Sequence, residues 1–82
     1  MEFSAEEKQR LLSVKGVGPT VVQRLEQLGI FTLDQLSRAD ALDVVTQASA
    51  LVGSSCWKNS PQARAAIQAA IAKAREVVEG AD

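Results

Sequence analysis

The chain reads as an all-α domain, and three observations lead there. Almost half of its 82 residues are apolar (46%), yet tyrosine is absent and only one Trp and two Phe occur, so alanine and aliphatic side chains must build the core. That composition suits helices packed closely through small residues and lacks the β-branched and aromatic pairs of a β-sandwich. Cap residues also recur just ahead of stretches with helical apolar spacing: Ser4, Gly18-Pro19, Thr32, Asp40 and Ser60-Pro61. At this length a single domain over residues 1–82 with a small core is expected.

Ser4 and Glu7 have the form of a capping box, the serine accepting from an early amide and the glutamate reaching back. The first helix is expected over Ala5 to Leu12 or Ser13, with Leu11, Leu12 and Val14 turned inward. A turn, Gly16-Val17-Gly18-Pro19, follows. Gly18 serves as the next N-cap, and Pro19 takes the first helical position, where its missing amide costs nothing. The second helix runs from about Thr20 to Leu28, with Val21, Val22, Leu25 and Leu28 on one face. Gly29 is the expected left-handed terminator, and Ile30 beyond it meets Leu25 as in a Schellman end. Thr32 and Gln35 make a second capping box, with Phe31 and Leu36 placed as a hydrophobic staple, and start a short helix to about Ser37. Asp40 caps a fourth helix reaching about Ala50, with Asp43 favourable to its dipole and Leu42, Val45 and Ala48 facing the core. Val52 to Ser60 reads as a loop. Ser60-Pro61 then opens the longest helix, about 61–79, whose Ile67, Ile71, Ala74 and Val78 form a seam widened by Ala63, Ala66 and Ala70.

Charge and composition exclude several function classes. A net charge of −1 argues against a protein that wraps nucleic acid by bulk charge. The distribution is uneven, however. Lys8, Arg10, Lys15 and Arg24 lie in a run without acids, and so do Lys58, Arg64, Lys73 and Arg75. A dipolar surface would follow from this pattern; the plainer reading is charge scattered over solvated helix faces. With no histidine in the chain, Ser-His or Cys-His nucleophiles and histidine-ligated metals are ruled out. The lone Cys56 precludes an internal disulfide or a cysteine zinc cluster, fits a reducing compartment, and reads as a buried small hydrophobe. Trp57 reads as a plug between the last helix and the rest, the alternative being a platform for a base. Asp34, Asp40 and Asp43 are helix-start residues rather than a metal cluster. The polar, acidic N-terminus shows no signal peptide, and no apolar run approaches a membrane span. A cytoplasmic, non-enzymatic protein without membrane partner or cofactor is therefore expected.

The most informative stretch is the turn. Two glycines flanking one apolar residue between two helices let the backbone bend sharply and come within hydrogen-bond distance of an anion, typically a nucleic-acid phosphate. The helix that begins there adds unpaired amides and the positive end of its dipole. Pro19 removes one donor, leaving the amides of Gly16, Gly18, Thr20 and Val21, with the Thr20 hydroxyl beside them and Lys15 and Arg24 as nearby positive charge. A dinucleotide-binding loop would want a third glycine and a preceding strand, and a P-loop would end in Gly-Lys-Ser/Thr; neither is present.

The stretch Leu11 to Asp40 (LLSVKGVGPTVVQRLEQLGIFTLDQLSRAD), roughly a third of the chain, resembles a helix-hairpin-helix (HhH) motif, particularly the form found in repair DNA polymerases and in repair and recombination proteins. The likeness runs from the aliphatic residue before the turn through Gly29-Ile30 to Thr32-Leu33-X-X-Leu36. It implies a SAM-like/HhH bundle of about five helices with the motif over about 5–29. It further implies non-specific binding of a phosphate backbone through the amides of Gly16, Gly18, Thr20 and Val21; with Lys15 and Arg24 as nearby positive charge, the function expected is weak, sequence-independent DNA binding accessory to repair or recombination. In some members carbonyls of the turn hold a monovalent cation; here they would belong to Leu12, Val14 and Val17. The chain departs from the pattern at Thr20, where many DNA-binding members carry Lys or Arg. Members often pair two hairpins, and Val52-Gly53-Ser54 lacks the second glycine of another copy. HhH units also serve as protein-docking modules. The alternative function is such a module, homodimeric or partnered through the alanine-rich C-terminal helix. Arg64, Lys73 and Arg75 of that helix would otherwise extend the phosphate-contacting face.

Overall fold

The computed structural model describes residues 2–53 and 59–80, and these form five helices and no strand: α1 (Ala5–Leu12), α2 (Pro19–Gln27), α3 (Leu33–Ser37), α4 (Ala41–Val52) and α5 (Pro61–Glu79). Four of them begin where a side chain accepts an orphan amide, and α2 begins at Gly18 with Pro19 in its first position and no side-chain cap. Glu7 N–H donates to Ser4 Oγ and Ser4 N–H to Glu7 Oε1, both at 3.2 Å, which completes the first capping box. Asp40 Oδ2 accepts from the Asp43 amide at 3.2 Å, and Ser60 Oγ from the Ala63 amide at 3.2 Å. Thr32 Oγ1 accepts from the Gln35 amide at 3.1 Å. The reciprocal half of that second box is displaced: Gln35 Oε1 takes the Phe31 amide at 3.1 Å and the Thr32 hydroxyl at 3.3 Å.

Helix ends follow from glycine where the chain must turn left-handed. Gly29 sits at φ +87, its amide bonded to Glu26 O at 3.0 Å, while the Ile30 amide reaches Leu25 O at 2.9 Å, so α2 closes in a Schellman end. A Cβ at Gly29 would meet no neighbour, so Gly29→Ala isolates the backbone term. It should lower stability by about 1–2 kcal/mol in urea denaturation. Gly53, at φ +67, ends α4 at Val52, slightly beyond the expected Ala50. The expected loop and second turn beyond it, with Cys56 and Trp57, fall largely outside the described residues.

Helix α5 is the spine, with α3 and α4 packed most extensively on it and α1 and α2 adding smaller contacts. Its buried face is Ala66, Ile67, Ala70, Ile71 and Ala74. Alanines there let neighbouring backbones approach, while Ile67 supplies volume against buried Leu11, Leu25, Leu36 and Val45. The radius of gyration, 11.7 Å, is that of a close-packed chain of this length.

Three expected core positions face solvent instead. Leu12 is 43% exposed, because successive residues of a helix diverge by about 100° and Leu11 already fills the inward position. Leu42, in the first turn of α4, is 61% exposed, and Val44, Val45 and Ala48 carry the apolar stripe. Val78 is 40% exposed, and Val77 continues the α5 seam in its place.

Two glutamates fasten the N-terminal part to the rest. Glu26 Oε2 accepts the amide of the buried Phe3 at 2.9 Å and lies 3.8 Å from Lys8 Nζ. Glu7 Oε2 accepts the Leu33 amide at 2.9 Å, joining α1 to the start of α3. Partial burial pushes the Glu7 carboxyl up, but the amides of Leu33 and Ser4 and the Ser4 hydroxyl outweigh it, holding its pKa below the ordinary value. A carboxyl lowered in the folded state contributes stability that is complete above its unfolded value, about 4.3, and drains as pH falls through the folded value. Glu7→Gln should therefore lower the melting temperature at neutral pH and lose less than the wild type on acidification below about pH 4. Melts followed across that range check both signs.

Candidate nucleic-acid interface

Helix α1 unwinds through Ser13 and Val14, whose amides bond to Gln9 O and Leu11 O at 3.0 Å each. The chain then makes a β-turn closed by the Val17 amide on Val14 O at 3.1 Å. Gly16 occupies the third position at φ +91, where glycine is favoured. Val17 is only 5% exposed and belongs to the core cluster. The apolar residue between the glycines thus anchors the turn, while Gly16 stays exposed and Gly18 half-buried.

Gly18 has an ordinary backbone (φ −108, ψ −179) and caps α2 without a side chain. A Cβ built there would meet nothing within 4 Å. Neither its dihedrals nor its neighbours require glycine, but a group approaching the backbone from outside would. The amides of Gly16, Gly18 and Thr20 have no acceptor among the described residues. Val21 differs: its amide donates to Gly18 O at 3.1 Å, as does that of Val22 at 3.2 Å. The expected set of four donors therefore reduces to three, because the first turn of α2 closes on the Gly18 carbonyl. Of the three carbonyls expected to favour a cation, that of Val14 already accepts the Val17 amide, which leaves it one lone pair.

The cations sort into two groups. Lys8 lies 3.2 Å from Glu2, Arg10 3.2 Å from Glu6, Arg38 3.4 Å from Asp34 and Lys73 3.7 Å from Glu76. Lys15, Arg24, Arg64 and Arg75 have no carboxylate partner among the described residues. The run from Lys8 to Arg24 is acid-free in sequence but not in space, since Glu2, Glu6 and Glu26 fold onto it. What survives near the turn is Lys15, exposed beside Gly16, and Arg24, one turn beyond Thr20 on the same side of α2. Arg24 Nη1 donates to Gln27 Oε1 at 2.7 Å, and its buried Nε has no partner among the described residues. A cleft of about 300 Å³ between α1 and α2, lined by Lys8, Leu12, Pro19, Val22, Gln23 and Glu26, is a poor anion site because Glu26 neutralises its one cation.

Sequence reasoning missed Phe3 as a core residue and the roles of Glu7 and Glu26 beyond α1 and α2. The apolar Phe3 ahead of a capping serine was the available signal for the first. The long-range amide contacts of the glutamates left none. Among the described residues no group of three or more His, Cys, Asp or Glu is placed to hold a metal, and no helix is long and apolar enough to cross a membrane. Comparisons of the chain with protein-family models, with curated proteins and with solved structures return no match.

Proposed function

We propose that the turn between α1 and α2 is an HhH-type hairpin and that the protein uses it to bind DNA weakly and without sequence preference, through backbone phosphates. The observation that carries this reading is the set of amides at Gly16, Gly18 and Thr20, which have no acceptor among the described residues. Main-chain amides hold a phosphate without reading a base, and the N-terminus of α2 adds its partial positive charge. Lys15 supplies a full charge next to them, and Arg24 a second one turn away. A role accessory to repair or recombination belongs to the same reading.

Fluorescence anisotropy with a labelled duplex tests it. With two to four phosphates engaged, the dissociation constant should lie at about 10–100 μM and log K should fall with log salt at a slope of about −2 to −4. No binding at low salt to single- or double-stranded DNA would reject this reading. The second reading, a docking module for a protein partner, draws on the exposed Leu12 beside the cleft it lines with Pro19 and Val22. It would then take precedence.

A further inference from the structure

The outer side of α5 carries charge on two flanks that behave differently. Lys73 is paired with Glu76 at 3.7 Å. Arg64 and Arg75 have no carboxylate partner among the described residues, and both are exposed. Their separation of eleven residues is close to three helical turns, so both point to nearly the same side of α5 at about 16 Å along its axis. Gln68 lies between them, one turn after Arg64. The surface follows this alignment. Gln68 lines a shallow cleft of about 230 Å³ with Arg64 and a second of about 260 Å³ with Arg75, so the two clefts meet at its side chain. Arg75 Nε donates to the Ser37 carbonyl at 3.1 Å, which steadies the guanidinium against α3, and its terminal amino groups have no partner among the described residues. The acid of this groove is Asp40, whose Oδ2 already holds the Asp43 amide.

We infer that the Arg64–Gln68–Arg75 groove is a second contact for the sugar-phosphate backbone of DNA. Two arginines rooted about 16 Å apart along one helix, one of them tied to Ser37, match an extended polyanion better than a single small anion. Gln68 between them offers amide donors to the intervening phosphate or sugar oxygens. The inference rests on the reading of the hairpin as a phosphate-binding turn, and a duplex that spans both sites would bind more tightly than at the hairpin alone through effective concentration. Lys73, on the other flank and already neutralised, takes no part.

Salt titrations of duplex binding by the wild type, Arg64→Gln, the double variant Arg64→Gln/Arg75→Gln, Lys73→Gln and Gly18→Ala separate the possibilities. The double variant should reduce the log–log salt slope by about 2 and Arg64→Gln alone by about 1, while Lys73→Gln leaves it unchanged. The Arg64 side chain has no hydrogen bond or ion pair among the described residues, so its single variant keeps the test valid if loss of the Ser37 contact perturbs the double one. An unaltered slope in both arginine variants, alongside lost binding in Gly18→Ala, overturns this inference and leaves the hairpin reading standing. An equal loss in Lys73→Gln also overturns it, since overall charge would then suffice. Absence of any binding by the wild type removes both readings.

Discussion

Leu36→Ala should cost about 2–5 kcal/mol of folding stability. A domain of this size holds about 4–12 kcal/mol in total, so the variant should be partly unfolded at ambient temperature or melt far below the wild type. Leu36 is fully buried in α3, a helix of five residues that packs on α5 more extensively than any other pair of elements pack together. So short a helix has no stability of its own. It exists because Thr32 caps it and because Leu33 and Leu36 are both buried. Removing Leu36 leaves Leu33 as the only buried apolar side chain of α3. Leu42→Ala provides the contrast: that side chain is 61% exposed, and its loss should change stability by less than about 0.5 kcal/mol. Urea denaturation of both variants gives the two values directly.

Gly18→Ala should separate binding from folding. The backbone at Gly18 is one that alanine adopts, and the added Cβ meets nothing within the protein. Stability should therefore fall by less than about 1 kcal/mol, the usual consequence of losing a favourable N-cap. On the proposed reading, the same methyl stands in the open space beside the amides that would hold a phosphate. Losing one charge-assisted hydrogen bond costs about 1.5–3 kcal/mol, so DNA affinity should drop roughly tenfold to a hundredfold. Gly16→Ala is the less informative change, because φ +91 charges alanine about 1–2 kcal/mol of stability and confounds the two effects. Anisotropy and thermal melts on the Gly18 variant read binding and folding separately.

Local chemistry was legible in the sequence and spatial combination was not. Ser4, Gly18-Pro19, Thr32, Asp40 and Ser60-Pro61 each start a helix as their side chains or φ constraints dictate, and Gly29 ends one. These signals act within a few residues, so the linear chain contains them. Which of two adjacent apolar residues turns inward is decided by neighbours distant in sequence, as Leu12, Leu42 and Val78 demonstrate. The charge pattern failed for the same reason: Glu26 reaches Lys8 only once α1 and α2 have packed. At the turn, the glycines and Pro19 mark a sharp bend with amides left over, but the loss of the Val21 amide to the Gly18 carbonyl needs the folded first turn of α2.

The most direct test of the hairpin's role is an amide-resolved NMR titration of the ¹⁵N-labelled protein with a short DNA duplex at low salt. The amides of Gly16, Gly18 and Thr20 should show the largest shifts, with Val21 shifting less because its proton is already bonded. Saturation of the spectrum with those three amides unmoved would contradict a phosphate grip at this turn.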